Sequence, residues 1–280
     1  MLDQISKYCT VIALLCLPGL AAAPDSIGYV RSAGDFRVDG STVRGNTTVF
    51  AGSVVETTAA RSVVQLNGTQ ITISPESRAK IFGDHTVLLK GQGLIRDAGS
   101  HFLEADALRI SAASKDAVVQ VDIDSPTHVS VVARSGSAVV RNAAGLLLAD
   151  VKPGLALAFE EQTGGGGSSV QLQGIVTFRD GKYFLTDTTR NVTAELRGSD
   201  LAKLVGKTVQ ITGSLVPNGN PASGATEVVQ VASATPVSGG SGGHSGFKTA
   251  AIVGGVAVVG TVAGLAAAGS FSGPAPTSAH

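Results

Sequence analysis

The stretch SVVQLNGTQITI from Ser62 places apolar residues at Val64, Leu66, Ile71 and Ile73, with Gln65, Gln70 and Thr72 between them. Successive side chains of a strand point to opposite faces, so this period of two, broken by Asn67-Gly68, predicts a β-hairpin. Asn-Gly suits a type I′ turn with both central residues at positive φ, which sets Leu66 opposite Thr69 and Val64 opposite Ile71. The run VVQVDIDSP from Val118 repeats the alternation, with Val119, Val121 and Ile123 inward and Gln120, Asp122 and Asp124 outward. Short runs of this kind, separated by Gly, Asn, Asp and Pro, fill residues 26–160 and predict an all-β domain. Periodicity leaves a sandwich and a β-solenoid both open.

The pattern stops at EQTGGGGSS, residues 161–169, a flexible Gly/Ser spacer. It resumes over 170–237 as strand, Asp180-Gly181 turn, strand, strand, one short helix and two further strands. Asp180-Gly181 joins GIVTF to KYFLTD, and Ser199 or Asp200 caps the helix LAKLV. A second Gly/Ser spacer occupies 238–248.

Both ends differ from this alternation. MLDQISKYCTVIALLCLPGLAAA, residues 1–23, has Lys7, a short apolar run and small residues before Pro24, which is the pattern of a secretory signal peptide. Both cysteines, Cys9 and Cys16, fall inside it, so the mature chain is expected to carry neither a disulfide nor a cysteine-based metal site. Residues 249–269, TAAIVGGVAVVGTVAGLAAAG, contain no charge and are long enough for one helical membrane crossing, with a polar tail over 270–280. Gly260 and Gly264 form a G-x-x-x-G pair that permits close helix approach, so homo-oligomerisation is expected through them. The two ends together imply export, with the β domains outside and the last helix anchoring them in the membrane.

Charge and candidate chemistry narrow the function classes. The 280 residues carry 21 basic and 21 acidic side chains, a formal net charge of zero, which argues against an electrostatic grip on nucleic acid. Arg179, Lys182, Arg190, Arg197, Lys203 and Lys207 in the second β segment are offset by Asp180, Asp187, Glu195 and Asp200. Its aromatics are Phe178, Tyr183 and Phe184, and alternation buries at least one of the adjacent Tyr183 and Phe184. GGSGG around Ser241 matches the letters of a nucleophile elbow but lies in a spacer rather than between a strand and a helix. His85, His101, His128, His244 and His280 are scattered, and Asp122 and Asp124 lack a calcium-type loop. Asn46, Asn67 and Asn191 begin N-x-Thr sequons, relevant only in a eukaryotic secretory host. We therefore assign no catalytic, cofactor-binding or metal-binding residues.

The stretch AGSVVETTAARSVVQLNGTQITISPESRAKI resembles the core of the FecR domain, through Gly52, Val54 or Val55, Thr57, Ser62, Leu66, Gly68, Ile71, Ile73, Pro75 and Ser77. It departs at Ser53 and Asn67, where the family commonly has Asp. IGYVRSAGDFRVDG resembles the strand pair that opens that domain. Residues 170–237 resemble a small exported OB-fold barrel through Gly174, Phe184, Leu185, Thr186, Asp187, Leu204, Val205, Gly206, Lys207, Val209, Ile211 and Gly213. These resemblances imply a non-enzymatic, periplasmic binding or scaffolding protein with an envelope protein or glycan as partner. The alternative they imply is a signal-sensing component related to FecR-type regulators of receptor-coupled sigma signalling, although no segment here corresponds to a sigma-binding part. A secreted hydrolase is the third reading.

Overall fold

The computed structural model describes residues 25–96, 98–161, 169–216, 219–237, 249–253 and 256–261. The signal segment, most of both Gly/Ser spacers, Ser241, His244, Gly264 and His280 lie outside the described residues. What is described is all-β, as expected: a two-sheet body followed by a small five-stranded barrel.

One sheet of the body, called the long sheet here, begins with β4 (Asn46–Phe50) beside β1 (Ser26–Ser32), then β6 (Ser62–Leu66) and β7 (Gln70–Ile73). It continues through the second half of β9 (His85–Arg96), β12 (Val118–Ser125), β13 (His128–Ser135) and β16 (Ala156–Glu161). The other sheet runs from β3 (Ser41–Val43) through β2 (Phe36–Val38), β5 (Ser53–Thr57) and β8 (Arg78–Ile81) to the first half of β9. It ends with β10 (Phe102–Ala105), β11 (Leu108–Ala112), β14 (Ala138–Asn142) and β15 (Leu147–Val151). The chain thus passes repeatedly between the sheets, and their inward residues, among them Val64, Ile71, Val121, Phe36, Ile81 and Ile110, join one apolar core.

The β6–β7 hairpin has the expected register, with Val64 opposite Ile71, a pair of backbone hydrogen bonds between Leu66 and Thr69, and all four apolar residues buried. Its turn differs from expectation: Gly68 has φ 78° while Asn67 stays outside the left-handed region, so the turn is not type I′. Asp180-Gly181 does have both residues at positive φ, 51° and 74°. In β12, Val119 and Val121 face the core, but Gln120 is buried as well, because Arg134 from β13 lies over it and donates from Nε to its Oε1 at 2.6 Å.

Strand β9 carries the topology. Its residues 86–90 pair with β8 and its residues 91–95 with β12, so one strand serves both sheets. The change of sheet occurs at Gly91, with φ 76°, where Ser77 packs so closely that an added Cβ would stand 2.3 Å from its Oγ.

The barrel closes in the order β17 (Ser169–Arg179), β18 (Lys182–Asp187), β19 (Thr193–Arg197), β21 (Glu227–Pro236), β20 (Thr208–Leu215) and back to β17. The predicted helix is a 3₁₀ turn, Leu201–Leu204, preceded by Asp200 at φ 62° with no side-chain cap; Asp200 instead accepts from Lys203 Nζ at 2.5 Å.

The C-terminal segment requires a correction. Residues 249–253 and 256–261, expected in a transmembrane helix, form the antiparallel strands β22 (Thr249–Val253) and β23 (Val256–Thr261). No helix among the described residues is long and apolar enough to cross a membrane. β23 pairs with β16 along six residues and β22 meets β17 at two, so the hairpin continues the long sheet toward the barrel. Val and Ile favour strands, Val256 and Val258 are buried on the core side, and β16 would otherwise expose an open edge. Gly260 lies opposite Leu157 of β16 and Thr249 of β22, so the helix-packing role expected for it with Gly264 is not formed at Gly260.

Candidate functional site

The long β17–β18 hairpin projects its tip at the Asp180-Gly181 turn. Phe178 and Tyr183 are cross-strand partners there, with ring centroids 4.9 Å apart and planes tilted by 44°. They continue the inward rows of Val176 and Leu185, which are buried, yet Phe178 is 52% exposed because the hairpin extends past the barrel interior. The result is an aromatic pair presented at the end of a rigid ribbon. Ile175 and Val205, also exposed, add apolar surface to the same barrel.

The opposite face of the hairpin is covered around Phe184, while Ile175 on that face stays exposed. Phe184 is buried under the Arg179 guanidinium, 4.2 Å from its ring centroid. Glu195, directly across from Phe184, is buried and accepts from Lys182 Nζ at 3.1 Å, from Arg197 at 3.2 Å and from the Ala222 N–H at 2.8 Å. Burial opposes its ionisation, but the Ala222 N–H, Lys182 and Arg197 outweigh that cost and hold the carboxyl below its usual range. The β20–β21 connection is thereby pinned across β18 and β19, helped by Arg179, whose Nη2 donates to the Ser223 carbonyl at 3.5 Å. Two of the basic residues singled out in the sequence, Lys182 and Arg197, are thus committed to an internal carboxylate.

Arg190 has a structural place that its sequence neighbourhood gives no hint of. The Asp187 carboxylate accepts the N–H groups of Thr189, Arg190 and Gln173, which fixes a tight turn after β18. That turn aims the Arg190 side chain, 0% exposed, into the junction of barrel and body. There Nη2 pairs with Glu227 Oε1 at 2.5 Å and Nη1 donates to the Leu148 carbonyl of β15 at 3.3 Å. The Asp150 N–H of β15 in turn donates to the Arg190 carbonyl at 2.8 Å, so the barrel covers the edge of that sheet. Burial pushes the Glu227 carboxyl up, against the opposing pull of Arg190.

The histidines occupy unrelated places. His85 stacks between Phe82 and Phe102, at 4.5 and 5.3 Å, with Lys80 and Arg109 over the outer rings. The ring faces in this ladder are occupied by one another, so it braces β8, β9 and β10 rather than offering a stacking surface. His128 reaches Glu160 at 3.2 Å and Asp124 at 3.5 Å. Asp122 accepts from Gln92 at 3.1 Å, and burial raises its carboxyl. Among the described residues, no three His, Cys, Asp or Glu side chains converge as a metal site would require. A polar cavity of about 300 Å³ lies between the Asn67-Gly68, Gly83-Asp84 and Gly99-Ser100 turns, with Lys115 on its wall.

His101 closes the floor of that cavity, buried, with Nε2 3.0 Å from Thr86 Oγ1. Burial disfavours its charged form and lowers its pKa from the ordinary 6.5. As pH falls below that value the unfolded chain binds the proton first, so this residue's contribution is intact above it and is lost below. Urea-unfolding midpoints are expected to fall between about pH 7 and about pH 5, and His101→Asn to flatten that dependence. An unchanged pH profile in the variant would assign the loss to other groups.

No family model matches the chain, and no curated protein matches it. The fold and surfaces define a class only: an all-β protein in which a two-sheet body is locked to a five-stranded barrel.

Proposed function

We propose that this chain is an exported, non-enzymatic binding and scaffolding protein of the cell envelope, built from a FecR-like body and an OB-like barrel, with an envelope glycan as its partner. The observation that carries the reading is the exposed Phe178 ring on the barrel hairpin, backed by the half-buried Tyr183 across from it. An open aromatic ring braced by a second one suits the apolar face of a sugar ring, and OB barrels are a frequent platform for oligosaccharides.

Supporting it, the third barrel strand, β19, runs parallel to the fifth, β21, with a helical turn between the third and fourth, an order OB barrels share. The residues that resemble the FecR core fall on β5, β6, β7 and their connections. Zero net charge and the commitment of Lys182 and Arg197 to Glu195 disfavour nucleic acid. The C-terminal hairpin removes the helical anchor from this reading and leaves export resting on the N-terminal segment.

The test is co-sedimentation of the purified chain with isolated peptidoglycan sacculi, alongside periplasmic fractionation of the expressed protein. Wild-type protein is expected in the pellet, and Phe178→Ala/Tyr183→Ala is expected to weaken binding by about 10-fold or more, given the usual worth of an aromatic stacking contact. Sacculi binding that ignores both substitutions, or no binding at all, overturns the glycan assignment.

A further inference from the structure

The two ends of the body differ. At the barrel end, the long sheet continues through β23 and β22 to β17, and the other sheet is covered at β15 by the turn carrying Arg190. At the opposite end the outermost strands are β4 and β3, and among the described residues no strand pairs with the outer edge of either.

Edge strands are usually protected by charges, proline, glycine or bulges. β4 reads Asn46, Thr47, Thr48, Val49 and Phe50, with no charge, proline or glycine, and its pairing with β1 shifts register only at its end, between Ser26 and Gly28 opposite Phe50 and Val49. After Asn46 it consists of residues that favour extended pairing. Its hydrogen-bonding phase follows from the Ser32 N–H, which donates to the Gly45 carbonyl at 2.8 Å. Residues 45, 47 and 49 therefore bond inward to β1, and Asn46 and Thr48 turn their N–H and C=O groups outward. The Phe50 N–H, also outward, is taken by Ser53 Oγ at 3.2 Å. Phe50 and Tyr29, two of the few large apolar side chains left exposed, flank this edge on the outer face of the sheet.

We propose that the β4 edge is a homodimerisation surface, at which a second copy of this chain adds its own β4 antiparallel across a two-fold axis. A register centred on Thr48 places it against its counterpart, Thr47 against Val49 and Asn46 against Phe50, with no charge in the row. Of the cations near the row, Arg31 lies one strand inward on β1, across from Asn46, and Arg44 is already paired with Asp35 at 3.0 Å within the same chain. The zero net charge imposes no long-range repulsion between copies. Because β4 meets its own counterpart across the two-fold axis and the barrel end of the long sheet is covered, this contact closes at two copies. This surface is separate from the aromatic tip of the barrel, so it stands whatever the partner there is.

Sedimentation equilibrium of the full chain over roughly 1–100 µM, with amide exchange at Asn46 and Thr48, tests it. The expected result is a dimer in which those two amides become protected. Thr48→Lys, which sets like charges face to face, is expected to raise the dissociation constant at least about 10-fold while leaving the thermal transition in place. Phe50→Glu, at an exposed position, is the second variant should Thr48→Lys fail to fold. A monomer throughout overturns the proposal, whether those amides exchange freely or are shielded by the chain's own residues. So does a dimer indifferent to both substitutions.

Discussion

Arg190→Met is expected to lower unfolding stability by about 3–5 kcal/mol, the usual cost of removing one partner from a buried ion pair. The reason is asymmetric. Asp187 keeps three backbone N–H donors after the substitution, but Glu227 loses the guanidinium that offsets its burial. The Leu148 carbonyl also loses its Arg190 donor. A double variant, Arg190→Met/Glu227→Met, is expected to recover most of the loss, because two apolar side chains of similar volume remove the charge problem. Chemical denaturation of the three proteins measures both terms. Equal losses in the single and double variants would mean that the Leu148 contact, not the ion pair, holds the junction.

Gly91→Ala is expected to cost about 2–5 kcal/mol, from the left-handed backbone conformation and from overpacking against Ser77. The two contributions separate experimentally. Ser77→Gly in the same chain relieves the contact at 2.3 Å but leaves φ at 76°, so it should restore only part of the loss. The Ser77 hydroxyl also accepts the Gln92 N–H at 2.9 Å, so Ser77→Gly alone sets the baseline. The effect is expected to reach the whole body, because residues on either side of Gly91 belong to different sheets. Full tolerance of the alanine would show that β9 changes sheet without needing this conformation.

The junction and the sheet switch are the features least visible in the sequence. Arg190 sits in a polar run, TDTTRN, that reads as an ordinary exposed turn. Its burial depends on β15 and Glu227, which lie 42 and 37 residues away along the chain. Similarly, HTVLLKGQGLIR is interrupted by Gly91 and Gly93, yet the chain keeps one twelve-residue strand and bends it at Gly91. Gln120 was expected at the surface because alternation says which way a side chain points, not what another strand lays over it.

The C-terminal segment teaches the same lesson in the other direction. Its length and lack of charge fit a membrane helix, while its Val-rich content fits a strand equally well, and a short apolar run does not discriminate between them. The open edge of β16 decides between the two for residues 256–261. That edge exists only once the body has folded.

The sequence by itself determined the all-β character, the β6–β7 and β17–β18 hairpins and the buried row of β6–β7, because side-chain alternation and Gly-containing turns act over a few residues. Tertiary structure alone decided which sheet each strand joins, where Arg190 and Glu195 lose their solvent, and which edges stay open. Those outcomes depend on contacts between residues far apart in the chain, and burial and electrostatics are set by what arrives from elsewhere.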